Sequence, residues 1–260
     1  MALAHGAWPT GCARETPPQF RKTAPPPAAR GFVLIVSIHQ PAYLPWLGYL
    51  TRIAESDVFV FLDCVQFEKN SFTNRNKIKT AQGAQWLTVP VLQAGHMSGT
   101  LAELEIDPRP DWRRKHLLSI EQNYRKAPCF KERFPRLAEL YAQPFHLLAD
   151  LCFAQLEFWL RELGIGTRVV RASTFPISAT KGELVLEICR HLGANAYISG
   201  PMGKGYLEPG AFAAAGVALS FQKFVHPTYP QLYGEFLPGM GIVDYWLNCG
   251  GNDVFAAVSR

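Results

Sequence analysis

The sequence predicts one α/β domain: a mostly parallel sheet in a Rossmann-like layered architecture, with a helical segment in its middle. Three observations carry that expectation. Short apolar runs of strand length recur at 32–38, 57–63, 168–172, 195–199 and 217–221. Stretches of helical spacing separate several of them, and alternating strands and helices build a parallel sheet. From Asp111 to Leu163 the pattern is helical, with breaks only at Pro128 and around Gln143.

The first 31 residues stand apart. Thr23, Ala24, Pro25, Pro26, Pro27, Ala28, Ala29 and Arg30 form a proline-rich stretch with little to bury, and no continuous apolar core marks a secretory signal. Residues 1–31 therefore read as a disordered tail or an overextended N-terminus, with Val33 and Val36 as possible start positions. Residues 32–260 read as the single folded domain.

The run 32–38 is a buried strand ending at the polar, aromatic and proline-bearing segment His39, Gln40, Pro41, Ala42, Tyr43, Leu44, Pro45, Trp46. A helix follows over 46–55, because Leu47, Leu50, Ile53 and Ala54 fall at helical spacing. The second strand, 57–63, ends in Asp63 and delivers another polar segment containing Asn74, Arg75, Asn76 and Lys77. Further strands are expected at 85–91 and, in short form, at 101–106, with a loop at 95–99 between them. Asp111 is expected to N-cap a helix, and helices follow at 134–142 and 145–163, where Gly164 stops the last. Thr180 and Glu183 have capping-box spacing and open a helix that Gly193 ends. The strand at 195–199 then runs into Gly200, Pro201, Met202, Gly203, Lys204 and Gly205.

Composition is that of an ordinary globular protein, 48% apolar and 18% charged. The net charge of +5 owes +3 to the tail, through Arg14, Arg21, Lys22 and Arg30 against Glu15, so the body gives no basic footprint for nucleic acid. The six cysteines form no CxxC pair, and the expected setting is a reducing cytoplasm. No apolar run approaches the roughly 20 residues of a membrane span.

Ligands of open α/β sheets bind at the carboxyl ends of the strands, and the candidate site residues lie there. His39 and His226 are candidate acid–base groups, with Asp63 as a strand-end carboxylate. Gln40, Tyr43, Trp46 and Tyr49 surround His39 in the chain. Asn74, Arg75, Asn76 and Lys77 combine amide donors with positive charge, and an arginine grips carboxylate or phosphate bidentately. Ser199, Gly200, Gly203, Lys204 and Tyr206 form a glycine-rich strand exit in which backbone N–H groups and a lysine could meet an anion. The spacing is not that of a Walker A loop. Tyr229 and Gln231 sit beside His226 in a proline-stiffened segment. Neither HxxxH nor HxH occurs, so no metal site is expected, and no motif names a cofactor. The absence of Gly-x-Ser-x-Gly argues against a serine hydrolase.

His39-Gln40-Pro41-x-Tyr43-x-Pro45-Trp46-x-Gly48-Tyr49, the strand ending in Asp63, and Asn74-Arg75-Asn76 resemble the WbqC-like family. The resemblance continues through Tyr197-Ile198-Ser199-Gly200, Gly203-Lys204-x-Tyr206-Leu207 and His226-Pro227-x-Tyr229-Pro230-Gln231, and spans roughly 36–252. That family is named after a protein encoded among bacterial O-antigen biosynthesis genes. The resemblance implies a biosynthetic enzyme acting on a small, activated or phosphate-bearing intermediate of surface-glycan or specialised-metabolite biosynthesis, by acyl or aminoacyl transfer. Two alternatives stand beside it. One is nucleotidyl transfer, by analogy with strand–turn–helix nucleotidyltransferases, although Trp46 and Tyr49 stand where those carry histidines. The other is a non-catalytic protein that binds a nucleotide-linked sugar.

Overall fold

In the computed structural model, β1 (Ile35–His39) is the central strand of a five-stranded sheet. It pairs in parallel with β2 (Val58–Phe61) on one side and β6 (Ala196–Ser199) on the other. Outside these lie β5 (Arg168–Arg171) and β7 (Ala218–Phe221), also parallel. The order β5-β2-β1-β6-β7 is third-second-first-fourth-fifth in the chain, the doubly wound Rossmann order. The structure describes residues 33–92, 99–249 and Phe255. The tail and all but the last residue of the 95–99 loop lie outside the described residues.

Strand alternation builds the layers. Phe59 and Phe61 of β2 face a core that holds Leu47, Tyr49, Leu50 and Ile53 of α1 (Leu47–Ala54) together with the central helices. Val58 and Val60 face the opposite way, with Val36 and Ile38 of β1, against α5 (Lys181–Leu192) and α6 (Pro209–Ala214). The central block is α2 (Trp112–Tyr124), α3 (Phe130–Ala142) and α4 (Leu148–Glu162), joined by α7 (Ile242–Asn248) near the C-terminus. Gly164 ends α4 at φ 67°, with Ile165 N–H reaching back to Leu160 O, a Schellman closure. Among the described residues no helix is long and apolar enough to cross a membrane. The five described cysteines are free, and Cys152 and Cys189 are buried.

Several local expectations are corrected. The 85–91 strand is β4 (Gly83–Thr88), and it pairs antiparallel with β3 (Arg75–Thr80) in a separate hairpin. Residues 101–106 are not a strand. Leu101–Glu103 is a 3-10 turn, because Thr100 and Glu103 form a reciprocal capping box, and only Glu105 and Ile106 make isolated bridges. Asp111 stands at the start of α2 but makes no side-chain cap bond, its carboxylate pairing with Arg114 instead. Thr180 likewise makes none, and Lys181 after it takes left-handed backbone at φ 53°. The third helix starts four residues earlier than expected and carries Pro135 inside it.

Candidate functional site

The strand order reverses between β1 and β6, and a cavity of about 800 Å³ opens there at the carboxyl ends of the strands. His39 and Gln40 enter from the end of β1, and Leu62 from the end of β2. Ser199, Gly200 and Gly203 come from the exit of β6 and the 3-10 turn Pro201–Gly205, and Gln222 and Phe224 from the exit of β7. Trp46, Gly48 and Arg52 come from one side of α1.

Arg52 is the feature that sequence reading missed. Its residue is only 3% exposed, yet it lines the cavity. Nε and Nη2 are buried without a hydrogen-bond partner, and none of the ion pairs among the described residues includes it. Burial draws its pKa below the ordinary value, opposed by the tyrosines Tyr197, Tyr49 and Tyr206 and by Glu55. An isolated buried cation costs several kcal/mol or more, so natural proteins supply a counter-charge. Here the surrounding protein gives the guanidinium aromatic neighbours and the more distant Glu55 charge, but no hydrogen bond to Nε or Nη2.

Two glycines make this geometry possible. A Cβ on Gly200 would overlap Arg52 Nη1, and one on Gly203 would overlap Ser199 Oγ. Gly200→Ala is therefore expected to keep the fold, since the clash falls on the end of a side chain, but to displace the guanidinium. Titration calorimetry with an anion that binds the wild type should show about tenfold weaker binding, the cost of one misplaced charge-assisted bond. Equal affinity in the variant would mean that Arg52 does not contact the ligand. Gly48 has a comparable role: a Cβ there would sit 2.9 Å from Phe224 Cδ1, and its carbonyl accepts from Gln222 Nε2 at 3.0 Å.

His39 is half-buried, with edge-on contacts to Tyr49 and Trp46 at centroid distances of 4.9 and 5.7 Å. Burial first, and the Arg52 charge second, lower its pKa to about 3. The ring is therefore neutral at physiological pH. Nδ1 lies 2.9 Å from Gln40 O, an acceptor only, so the proton sits on Nδ1 and Nε2 keeps its lone pair. His226 differs. Its Nδ1 lies 2.9 Å from Pro227 O and its Nε2 accepts from Gly239 N–H at 3.2 Å, so both nitrogens are engaged.

The sequence-predicted residues divide into two groups. His39, Gln40, Trp46, Ser199, Gly200, Gly203 and Tyr206 line the cavity, and Tyr49 packs behind His39 with its hydroxyl 3.3 Å from Gln40 O. The others lie outside the lining. Asp63 is fully buried and receives Arg171 Nε, Ser173 N–H and Ser173 Oγ–H at 2.8–2.9 Å. Tyr43 bonds His116 and Tyr141 in the helical core. Asn76 donates to Leu44 O at 2.6 Å, pinning a residue whose φ is 44°, and Asn74 donates to Val89 O. Arg75 and Lys77 lie over the Trp86 ring, at 4.4 and 5.4 Å. Lys204 lies over Phe221 at 5.6 Å. Tyr229 and Gln231 both donate to the buried carboxylate of Asp244, which also accepts from Tyr124.

Fold and site together define a doubly wound α/β protein with a buried arginine, two of its guanidinium nitrogens unpaired, at its topological switch point. The WbqC-like protein family model matches residues 40–255, and the chain belongs to that family. It is 34% identical over 217 residues to the Mycobacterium tuberculosis (strain ATCC 25618 / H37Rv) protein named "Uncharacterized protein Rv1507c", covering 83% of this chain and 94% of that protein. No solved structure matches the chain.

Proposed function

We propose that this chain is a biosynthetic group transferase, moving an acyl or aminoacyl group, whose cavity holds an activated, phosphate-bearing intermediate of surface-glycan or specialised-metabolite biosynthesis. The observation that carries the anionic part of this reading is Arg52, buried in the cavity wall with Nε and Nη2 lacking any hydrogen-bond partner. Family membership supports the biosynthetic part.

In this mechanism Arg52 faces the phosphate of the donor. The bound anion cancels the Coulomb contribution that Arg52 makes to lowering the His39 pKa, and the imidazole becomes a better base once the site is filled. Nε2 takes the proton of the attacking hydroxyl or amine while the new acyl bond forms. The bond to the leaving group breaks, and the departing electron pair and its negative charge are stabilised by Arg52. Gln40 and Ser199 offer orienting hydrogen bonds from the two central strands. His226, with both nitrogens engaged, holds the β7 exit instead of moving protons. Asp63 supports the site from behind, by holding the start of the segment after β5.

His39→Gln tests the assignment. Binding of phosphate-bearing donors should stay within about threefold, while turnover falls by about 10²–10⁴, the range for loss of a general base. Candidate donors are acyl phosphates, aminoacyl adenylates and acyl-CoAs, paired with amine and hydroxyl acceptors that include nucleotide-linked sugars. Binding without turnover for every pair in the wild type would make the chain a binding protein.

A further inference from the structure

The cavity joins a buried cation to an apolar mouth, and that pairing speaks to the shape of its ligand. Of the large apolar side chains exposed among the described residues, three line this cavity: Phe72 at 40%, Tyr206 at 46% and Met202 at 83%. Met202, the most exposed of these three, lies in the 3-10 turn at the exit of β6. Scattered exposed apolar residues need no explanation, but a group gathered at a cavity mouth marks a binding surface. Deeper in, Ile38, Leu62 and Val185 continue the apolar wall, and Arg52 is the buried charge.

We infer that the ligand is an amphipathic anion: a phosphate head set against Arg52, and an apolar chain that leaves the cavity across Phe72, Met202 and Tyr206. This rests on the anion-anchoring reading above and adds the substrate class. A compact polar phosphate would leave the mouth wet and apolar. An alkyl or isoprenoid chain would remove that surface from water, and each methylene fully buried would tighten binding about fourfold. A chain lying on a half-open mouth is expected to gain about twofold per methylene.

The test is titration calorimetry of methyl, butyl and hexyl phosphate against the full chain. Against the wild type, affinity should rise about twofold per methylene, with a heat-capacity change that grows more negative with chain length. The surface variant Met202→Ser should flatten that slope, and Arg52→Met should lose all three ligands. Equal affinity for methyl and hexyl phosphate, with binding still dependent on Arg52, overturns the amphipathic ligand and leaves the anion site standing. Equal binding by wild type and Arg52→Met, or no binding of any alkyl phosphate, overturns both.

Discussion

Arg52→Met should abolish anion binding and raise the stability of the unliganded protein. The two effects come from one cause. The wild-type guanidinium is buried with Nε and Nη2 unpaired, so the free protein carries a desolvation cost that a ligand relieves. Methionine keeps the unbranched stem of the side chain and its flexible packing without the charge. Replacing buried ionic groups by well-packed apolar ones stabilises by on the order of 1–4 kcal/mol. Losing one partner of a desolvated charge pair costs on the order of 2–5 kcal/mol in binding, roughly thirtyfold to several thousandfold. Urea unfolding gives the first number and titration calorimetry the second. Such opposed effects characterise a residue kept for function at the expense of stability. A variant that is less stable and binds equally well would place Arg52 among ordinary structural groups.

Asp63→Ala should be the opposite case: a large loss of stability with little change in ligand affinity of the folded protein. The carboxylate is fully buried and accepts three hydrogen bonds, one from Arg171, which in turn pairs with Asp150 at 2.7 Å. Removing Asp63 leaves Arg171 with Asp150 alone and takes the acceptor from Ser173 N–H and Oγ–H; breaking a buried pair costs about 3–5 kcal/mol. Arg171 is partly open to solvent, its side chain 26% exposed, which places the loss at the lower end. Urea midpoints of Asp63→Ala, Arg171→Met and the double variant would give the coupling between the two. A stability change under 1 kcal/mol, with affinity lost, would return Asp63 to the ligand.

The sheet was legible because its strands are short, β-branched and aromatic, and because each exits into glycine, proline or polar residues. The β1 exit was legible for the same reason, since His39, Gln40 and Trp46 follow the strand directly and end up in the cavity wall. The hairpin was half legible. β3 reads Arg-Asn-Lys-Ile-Lys-Thr, with little strand character, and it forms because β4 pairs along its whole length and Asn76 anchors it to the motif loop. The Asn-Arg-Asn signature thus has a bracing role that its chemistry alone did not disclose. Arg52 was not legible, because its burial depends on Gly200 and Tyr206, far away in the chain. One local signal did exist: Arg52 is the only charged residue within α1, a helix whose neighbours are nearly all buried.

The cavity lies between β1 and β6, whose paired backbones are neighbours in space yet 161 residues apart in sequence. During synthesis, then, the first strand and its histidine emerge early and must wait for most of the chain before their second neighbour exists. Until β6 docks, the edge of β1 that will carry the site is an unpaired strand edge, open to association with other chains. Closing so long a loop is a slow step. The architecture makes ligand capture a late event in maturation, a property that belongs only to the finished chain.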